Sequence, residues 1–253
     1  MAKAANSRSE SWFRVLSALV FVATWQAGAE LADSQLLPNP WQVVQAIFDH
    51  SADGELLHHV GVTLARVAVS FFVAMAFGTA LGMVMGSNRN WNAALDGVLV
   101  LALNIPALVV IILCYLWFGL GEFAAILAVA INKFPVVVVT MREGARAVDG
   151  DLLQVARAFQ IGPRRTFFQI YLPQLYPYLL ASARSGLALV WKIVLVVELL
   201  GRSDGVGFQL SIFFQFFDIT SILAYSFAFI AVVMVIELAF MAPLDRRMSE
   251  WRT

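Results

Sequence analysis

The chain has 253 residues, 60% of them hydrophobic and 13% charged, with 17 Lys and Arg against 17 Asp and Glu and a mean hydropathy of +0.79. Soluble domains run at about 45–50% apolar and about 25% charged residues, so the composition excludes a water-soluble globule, while disorder needs low hydrophobicity with high charge. Zero net charge leaves no basic footprint for nucleic acid, and a single cysteine, Cys114, forms neither an intrachain disulfide nor a multi-cysteine metal site.

Crossing the hydrocarbon layer takes about 20 apolar residues in a helix. Six charge-poor stretches meet that length, which predicts an all-α polytopic membrane protein with six transmembrane helices. Residues 12–29 carry only Arg14, and 67–88 and 97–121 carry no charge. Residues 123–141 hold Lys133, 179–200 hold Arg184, Lys192 and Glu198, and 222–244 hold Glu237. Between the first two stretches, Pro38-Asn39-Pro40 reads as a turn, and Trp41, Val44, Ile47 and Phe48 recur at helical spacing. A short interfacial helix on the outer face is expected there. A signal peptide is the rival reading of the first stretch, given its basic start and Ala27-Gly28-Ala29, but the apolar run exceeds the usual length.

Cations set the orientation, because cytoplasmic loops retain Lys and Arg. Lys3, Arg8, Arg14, Arg89, Arg142, Arg146, Arg157, Arg164, Arg165, Arg246, Arg247 and Arg252 fall on one side, and only Arg66 and Arg202 fall on the other. Both termini are therefore expected in the cytoplasm. The organisation that follows is a tail and first helix at 1–32, an extracytoplasmic loop with its short helix at 33–60, a core of five spans at 61–244 with a cytoplasmic loop at 142–178, and a tail at 245–253. Arg66, at the mouth of its span, reads as a snorkelling or interface-anchoring residue.

No motif for bond chemistry is present. G-x-x-x-x-G-K-[ST], H-E-x-x-H and G-x-S-x-G are all missing, so the chain cradles no nucleotide in a phosphate loop and shows no hydrolase site. His50, His58 and His59 fall in the outer segment and read as solvated loop residues rather than metal ligands.

Within the spans, Gly78, Gly82 and Gly86 form a small-residue ridge that lets helix backbones approach closely, inside the subunit or across a dimer. Asn104-Ile-Pro106 and Asn132-Lys-Phe-Pro135 interrupt the third and fourth spans, as a broken helix lining a path or as a plain kink. Lys133, Arg184, Lys192, Glu198 and Glu237 are expensive in lipid and usually face the interior, as path lining or as ion pairs between helices, or else snorkel at the helix ends. Arg184 and Lys192 lie about 80° apart around one helix, on one broad side, whereas Lys192 and Glu198 lie about 240° apart and do not pair along it.

In the cytoplasmic loop, Asp151 is placed to cap a short helix over about 152–160, with Gln154 reaching back. Gly162 suits a left-handed exit and Pro163 opens a second helix that Leu172-Pro173 interrupts. A helix of about nine residues is too short to hold alone, so it packs on its own membrane domain or in a partner's groove.

These residues resemble a family. Gln154-Val155-Ala156-Arg157-Ala158-Phe159-Gln160 followed by Ile170-Tyr171-Leu172-Pro173 is similar to the cytoplasmic E-A-A-x3-G-x9-I-x-L-P loop of ABC importer permeases. Gln154 stands at the family's Glu, Val155 and Ala156 at its two alanines, and Gln160 at its Gly. Residues 36–40, 63–67, 104–106, 117–122 and 197–201 extend the resemblance, in order, to the nitrate, sulfonate, taurine and bicarbonate branch.

The resemblance implies a type I permease subunit in the inner membrane. It pairs with a second permease, expected to be identical, with ABC ATPase subunits that bind ATP and magnesium, and with an extracytoplasmic substrate-binding protein. The chain itself would hold no cofactor and catalyse no reaction, and Gln154, Val155, Ala156, Arg157, Phe159, Gln160, Gly162, Ile170, Leu172 and Pro173 would couple it to the ATPase. The missing glycine predicts a stiffer loop at Gln160 and selective ATPase pairing. Asn104, Pro106, Asn132, Lys133, Arg184, Lys192 and Glu198 are the candidates for the substrate path, and the solute is expected to be a small anion. A secondary transporter or channel without an ATPase is the alternative; it would need coupling-ion chemistry on Glu198 or Glu237.

Overall fold

The computed structural model describes residues 2–32, 34 and 36–241, and the expected tail at 245–253 and the last residues of the sixth span lie outside these. Helices follow one another as α1 (Ala2–Ala32), α2 (Pro40–Ala52), α3 (Glu55–Ser87), α4 (Arg89–Asn104), α5 (Ala107–Phe118), α6 (Glu122–Arg146), α7 (Gly150–Ala158), α8 (Pro163–Thr166), α9 (Leu172–Gly201), α10 (Val206–Gln215) and α11 (Ile219–Ile236). No strand occurs among the described residues.

Among the described residues, four uninterrupted stretches are long and apolar enough to cross a membrane: Glu55–Ser87, Glu122–Arg146, Pro163–Gly201 and Ile219–Ala239. The six-span expectation is thereby reduced. Its third stretch is a pair of helices, α4 and α5, bent by 97°. The bend falls at Ile105-Pro106, where proline holds the preceding residue extended (Ile105 ψ 124°). Its first stretch contributes only the shorter apolar helix Leu16–Ala32, because the beginning of α1 is polar.

The core is a three-helix contact of α3, α6 and α9. A methyl group built on Gly78, Gly82 or Gly86 would lie 2.6, 2.6 or 2.5 Å from the Cβ of Val137, Met141 or Ala145. The glycine ridge of α3 therefore lies against α6 of the same subunit, backbone on backbone. Gly144 of α6 takes the ring of Tyr178 of α9 in the same way, its would-be methyl 2.6 Å from the ring carbon Cγ. Val137, Met141 and Leu175 are fully buried in this seam.

Pro135 does not interrupt α6, which runs unbroken from Glu122 to Arg146. Proline frees one carbonyl in the preceding turn, and dense packing against α3 and α9 holds the helix through it. The segment expected to lie outside folds into a short helix, α2, capped by Asn39, whose side chain accepts from Gln42 N while Gln42 reaches back to Asn39 N, both at 2.9 Å.

Candidate functional site

Among the described residues, polar groups that bear on function gather at the loop at α7, in a groove between α9 and α11, and in a buried charge network at the end of the bundle away from α7, apart from the ion pairs of Arg142 and Arg146 with Asp96 and Glu143.

The loop begins with a cap that differs from the sequence reading. Asp149, not Asp151, caps α7, accepting from Asp151 N at 2.8 Å and Leu152 N at 3.4 Å. The two aspartates satisfy the pattern equally, and Gln174 of α9 decides between them. Its Oε1 accepts from Asp149 N at 2.8 Å while its Nε2 donates to Ile170 O at 2.9 Å. The exit also shifts. Gln160, with φ +52°, is the left-handed residue, and Gly162 has φ −58°. Ile161 N donates to Ala156 O at 2.9 Å and Gln160 N to Arg157 O at 3.0 Å, the paired bonds that close a helix around a left-handed residue, usually glycine.

Ala156 is fully buried against its own domain. Leu152, Val155 and Phe159, spaced to share one helix face, are 47%, 50% and 77% exposed. Gln154 and Arg157 flank them in solvent. Past α8, residues Phe167–Tyr171 widen into a π turn. Pro173 offers no N–H to the carbonyl four residues back, and Leu172 N bonds Phe167 O instead. Ile170 and Leu172 are half-buried and Pro173 is exposed.

Arg184, Trp191, Lys192, Phe229, Val233 and Glu237 line a groove of about 310 Å³ between α9 and α11. The substrate-path candidates thus separate. Arg184 and Lys192 share the groove, while Lys133 is fully buried between α6 and α9 with its Nζ donating to Ser182 O at 3.3 Å. Its stem occupies the space that Gly186 leaves open, 2.0 Å from where a methyl would sit. Asn104 and Asn132 spend their amides on the carbonyls of Val100 (2.7 Å) and Ala128 (2.8 Å) one turn back. Asn104 and Pro106 mark the bend and stay outside the groove.

Glu198 belongs to a different constellation. Fully buried, it accepts from Arg66 Nη1 at 2.8 Å, Thr63 Oγ1 at 2.9 Å and Gly207 N at 2.9 Å. Arg66 is 4% exposed and does not snorkel. It bonds Glu122 through Nε at 2.9 Å and through Nη2, the carbonyl of Asp204 at 2.8 Å, and the Asp204 carboxylate. Arg202 pairs with Glu122 at 2.8 Å. The reading of Arg66 as an interface anchor fails because three carboxylates from three parts of the chain converge on it. The usable signal was positional: the family-like fragments at 63–67, 117–122 and 197–201 each supply a member.

The histidines also sit in helices rather than a loop. His59 of α3 is buried, with Nδ1 accepting from Gly205 N at 3.0 Å and Nε2 at 2.7 Å from Gln209 Nε2. A ring whose Nδ1 accepts carries its proton on Nε2, so the Gln209 amide presents its oxygen there when flipped. His50 of α2 bonds Ser221 at 3.1 Å. No cluster of metal-ligating side chains occurs among the described residues.

Residues 78–249 match the family model described as binding-protein-dependent transport system inner membrane component. A Bacillus subtilis (strain 168) permease protein named for aliphatic sulfonates transport is 30% identical over 244 residues, covering 95% of this chain and 88% of the relative. The taurine transport system permease protein of Escherichia coli (strain K12) is 26% identical, covering 93% and 87%. The nitrate import permease protein of Synechocystis sp. is 29% identical, covering 75% and 72%. Among solved structures, an inward-facing MetNI methionine ABC transporter chain superposes with a TM-score of 0.65 at 18% identity, covering 78% of this chain and 97% of that one.

Proposed function

The chain belongs to the binding-protein-dependent transport system inner membrane component family, the permease subunits of ABC importers, and from that premise we infer that it forms the translocation path for a small organic anion and is driven through α7 by a separate ATPase. The observation that carries this is the exposed apolar face of Leu152, Val155 and Phe159 on a capped, nine-residue helix. A helix this short draws its stability from packing; Ala156 packs inward and the adjoining face of Leu152, Val155 and Phe159 is left for a groove on the ATPase. The resulting assembly is two copies of this chain, two ATPase subunits and an extracytoplasmic binding protein, in the inner membrane with both termini cytoplasmic. The anionic solute is supported by the sulfonate, taurine and nitrate names of the relatives and by Arg184 and Lys192 in the groove. Coupling-ion chemistry on Glu198, which a secondary transporter would use, is disfavoured by its engagement with Arg66, Thr63 and Gly207.

The test is co-purification of the full chain with its candidate ATPase, comparing wild type, Phe159→Asp and Val155→Asp. Both substitutions are on the exposed face, so the membrane domain should keep its size-exclusion profile while the ATPase is lost. Retention of the ATPase by both variants would remove α7 as the docking element.

A further inference from the structure

Arg184, Lys192 and Glu237 are the intramembrane charges that are exposed on the groove, and Lys192 is the one nearest the middle of the layer. Glu198 is held by Arg66, and Lys133 is buried in the slot beside Gly186. Lys192 is exposed on α9 and forms no ion pair or hydrogen bond among the described residues. It lies nine residues before Gly201, roughly 13 Å along the helix and so near the middle of a layer about 30 Å thick. An ammonium at that depth is not stable against lipid tails and faces a hydrated path or a partner charge. Arg184 lies two turns along the same side, and Glu237 stands opposite, at the far end of α11. Trp191 and Phe229 form the apolar wall beside it, their rings 5.8 Å apart and edge to face.

We propose that Lys192 binds the anionic group of the transported solute midway through the path, with Trp191 and Phe229 forming the wall for its organic part. The volume of about 310 Å³ is at the small end of ligand pockets, about 300–1,000 Å³. Hence the site takes a small organic anion, of sulfonate or carboxylate type, in preference to a bare inorganic one. The ammonium supplies charge-assisted hydrogen bonds to the anionic oxygens, and Arg184 extends the positive wall toward the α7 side. This assignment rests on the permease reading above.

Two measurements on the assembled complex in proteoliposomes, with ATPase and binding protein present, test it. First, Cys114 is the single cysteine of the sequence, so a Cys114→Ser, Lys192→Cys chain carries one thiol, at the proposed site. The anionic reagent 2-sulfonatoethyl methanethiosulfonate is expected to modify it; a thiol that stays unreactive in the assembled complex places position 192 against lipid or subunit and overturns the proposal. Second, uptake of radiolabelled ethanesulfonate, taurine and nitrate is compared for wild type, Lys192→Gln and Lys192→Arg, with co-purification of the ATPase as the folding control. Lys192→Gln is expected to raise KM for the preferred sulfonate by about tenfold to a hundredfold, the range for a lost charged hydrogen bond, and Lys192→Arg to recover most of it. Unchanged KM and preference in Lys192→Gln overturn the role of Lys192 while leaving the permease intact. A wild-type complex that assembles and takes up none of the three overturns the anion reading itself. If Lys192→Gln does not assemble, the labelling result and Lys192→Arg decide.

Discussion

Arg66→Met is the sharpest test of what holds the bundle together at the end away from α7. The guanidinium has five N–H donors, and its Nε, Nη1 and Nη2 make five bonds: two to Glu122, one to Glu198, and two to the carbonyl and carboxylate of Asp204. Methionine fills much of the volume and supplies none of them. Glu198, fully buried, then keeps only Thr63 Oγ1 and Gly207 N. Removing one partner of a buried ion pair costs about 3–5 kcal/mol, a large part of a total stability of about 5–15 kcal/mol. Thermal unfolding of the detergent-solubilised protein, followed by tryptophan fluorescence, should show that loss. Glu198→Gln in the same chain removes the stranded charge and should return part of it, with a coupling energy of about 0.5–3 kcal/mol. A loss under about 1 kcal/mol in Arg66→Met, or a double variant that is simply the sum of the singles, would refute the argument that Arg66 and Glu198 depend on each other.

Gln160→Gly should stabilise the end of α7: an L residue in the left-handed region costs about 1–2 kcal/mol, and the greater freedom of glycine in the unfolded chain offsets about 0.5–1 kcal/mol. The amide of Ile161, which closes the helix onto Ala156, should exchange with deuterium more slowly; unchanged exchange would show that Gln160 is unstrained, and unchanged ATPase pairing would show that this residue does not set partner choice. Gly186→Ala places a methyl 2.0 Å from Lys133 Cε and should lower the melting temperature, overpacking typically costing about 1–3 kcal/mol. Adding Lys133→Ala to Gly186→Ala opens the slot, and a double variant no more stable than Gly186→Ala alone would mean that the methyl clashes elsewhere.

Much of the membrane architecture was legible because the bilayer imposes a length and a polarity that hydropathy reads directly. The bend at Ile105-Pro106 was legible for the same local reason, since proline restricts the residue before it. Pro135 defeated that logic: the same residue type sits in a helix clamped on two sides, and tertiary packing outweighs one missing hydrogen bond. The α7 cap was misplaced by two residues because Asp149 and Asp151 are locally equivalent, and the choice is made by Gln174, 25 residues away. The Arg66 network was invisible to periodicity for a similar reason. Its partners lie 56, 132 and 138 residues along the chain; family-like fragments marked Glu122 and Glu198, and nothing in the sequence marked Asp204.

One helix joins all three polar places. At its beginning α9 carries Gln174, tied to the cap of α7; further along it carries Lys192; six residues on, Glu198 is held by Arg66, which in turn is held by α6 and the loop after α9. A shift of α7 either breaks the 2.8 Å bond from Asp149 to Gln174 or carries the first turn of α9 with it. Because the Glu198 end is anchored by Arg66, Thr63 and Gly207, such a shift acts on α9 as on a lever with its pivot there. Gln174 lies about 36 Å from that pivot and Lys192 about 9 Å, at 1.5 Å per residue. A straight rod would therefore pass on only about a quarter of the displacement to Lys192, and Pro177, between Gln174 and the groove, gives the helix a place to bend. As a straight rod, α9 would carry Arg184, which faces Glu237, further than Lys192, which stays nearly in place.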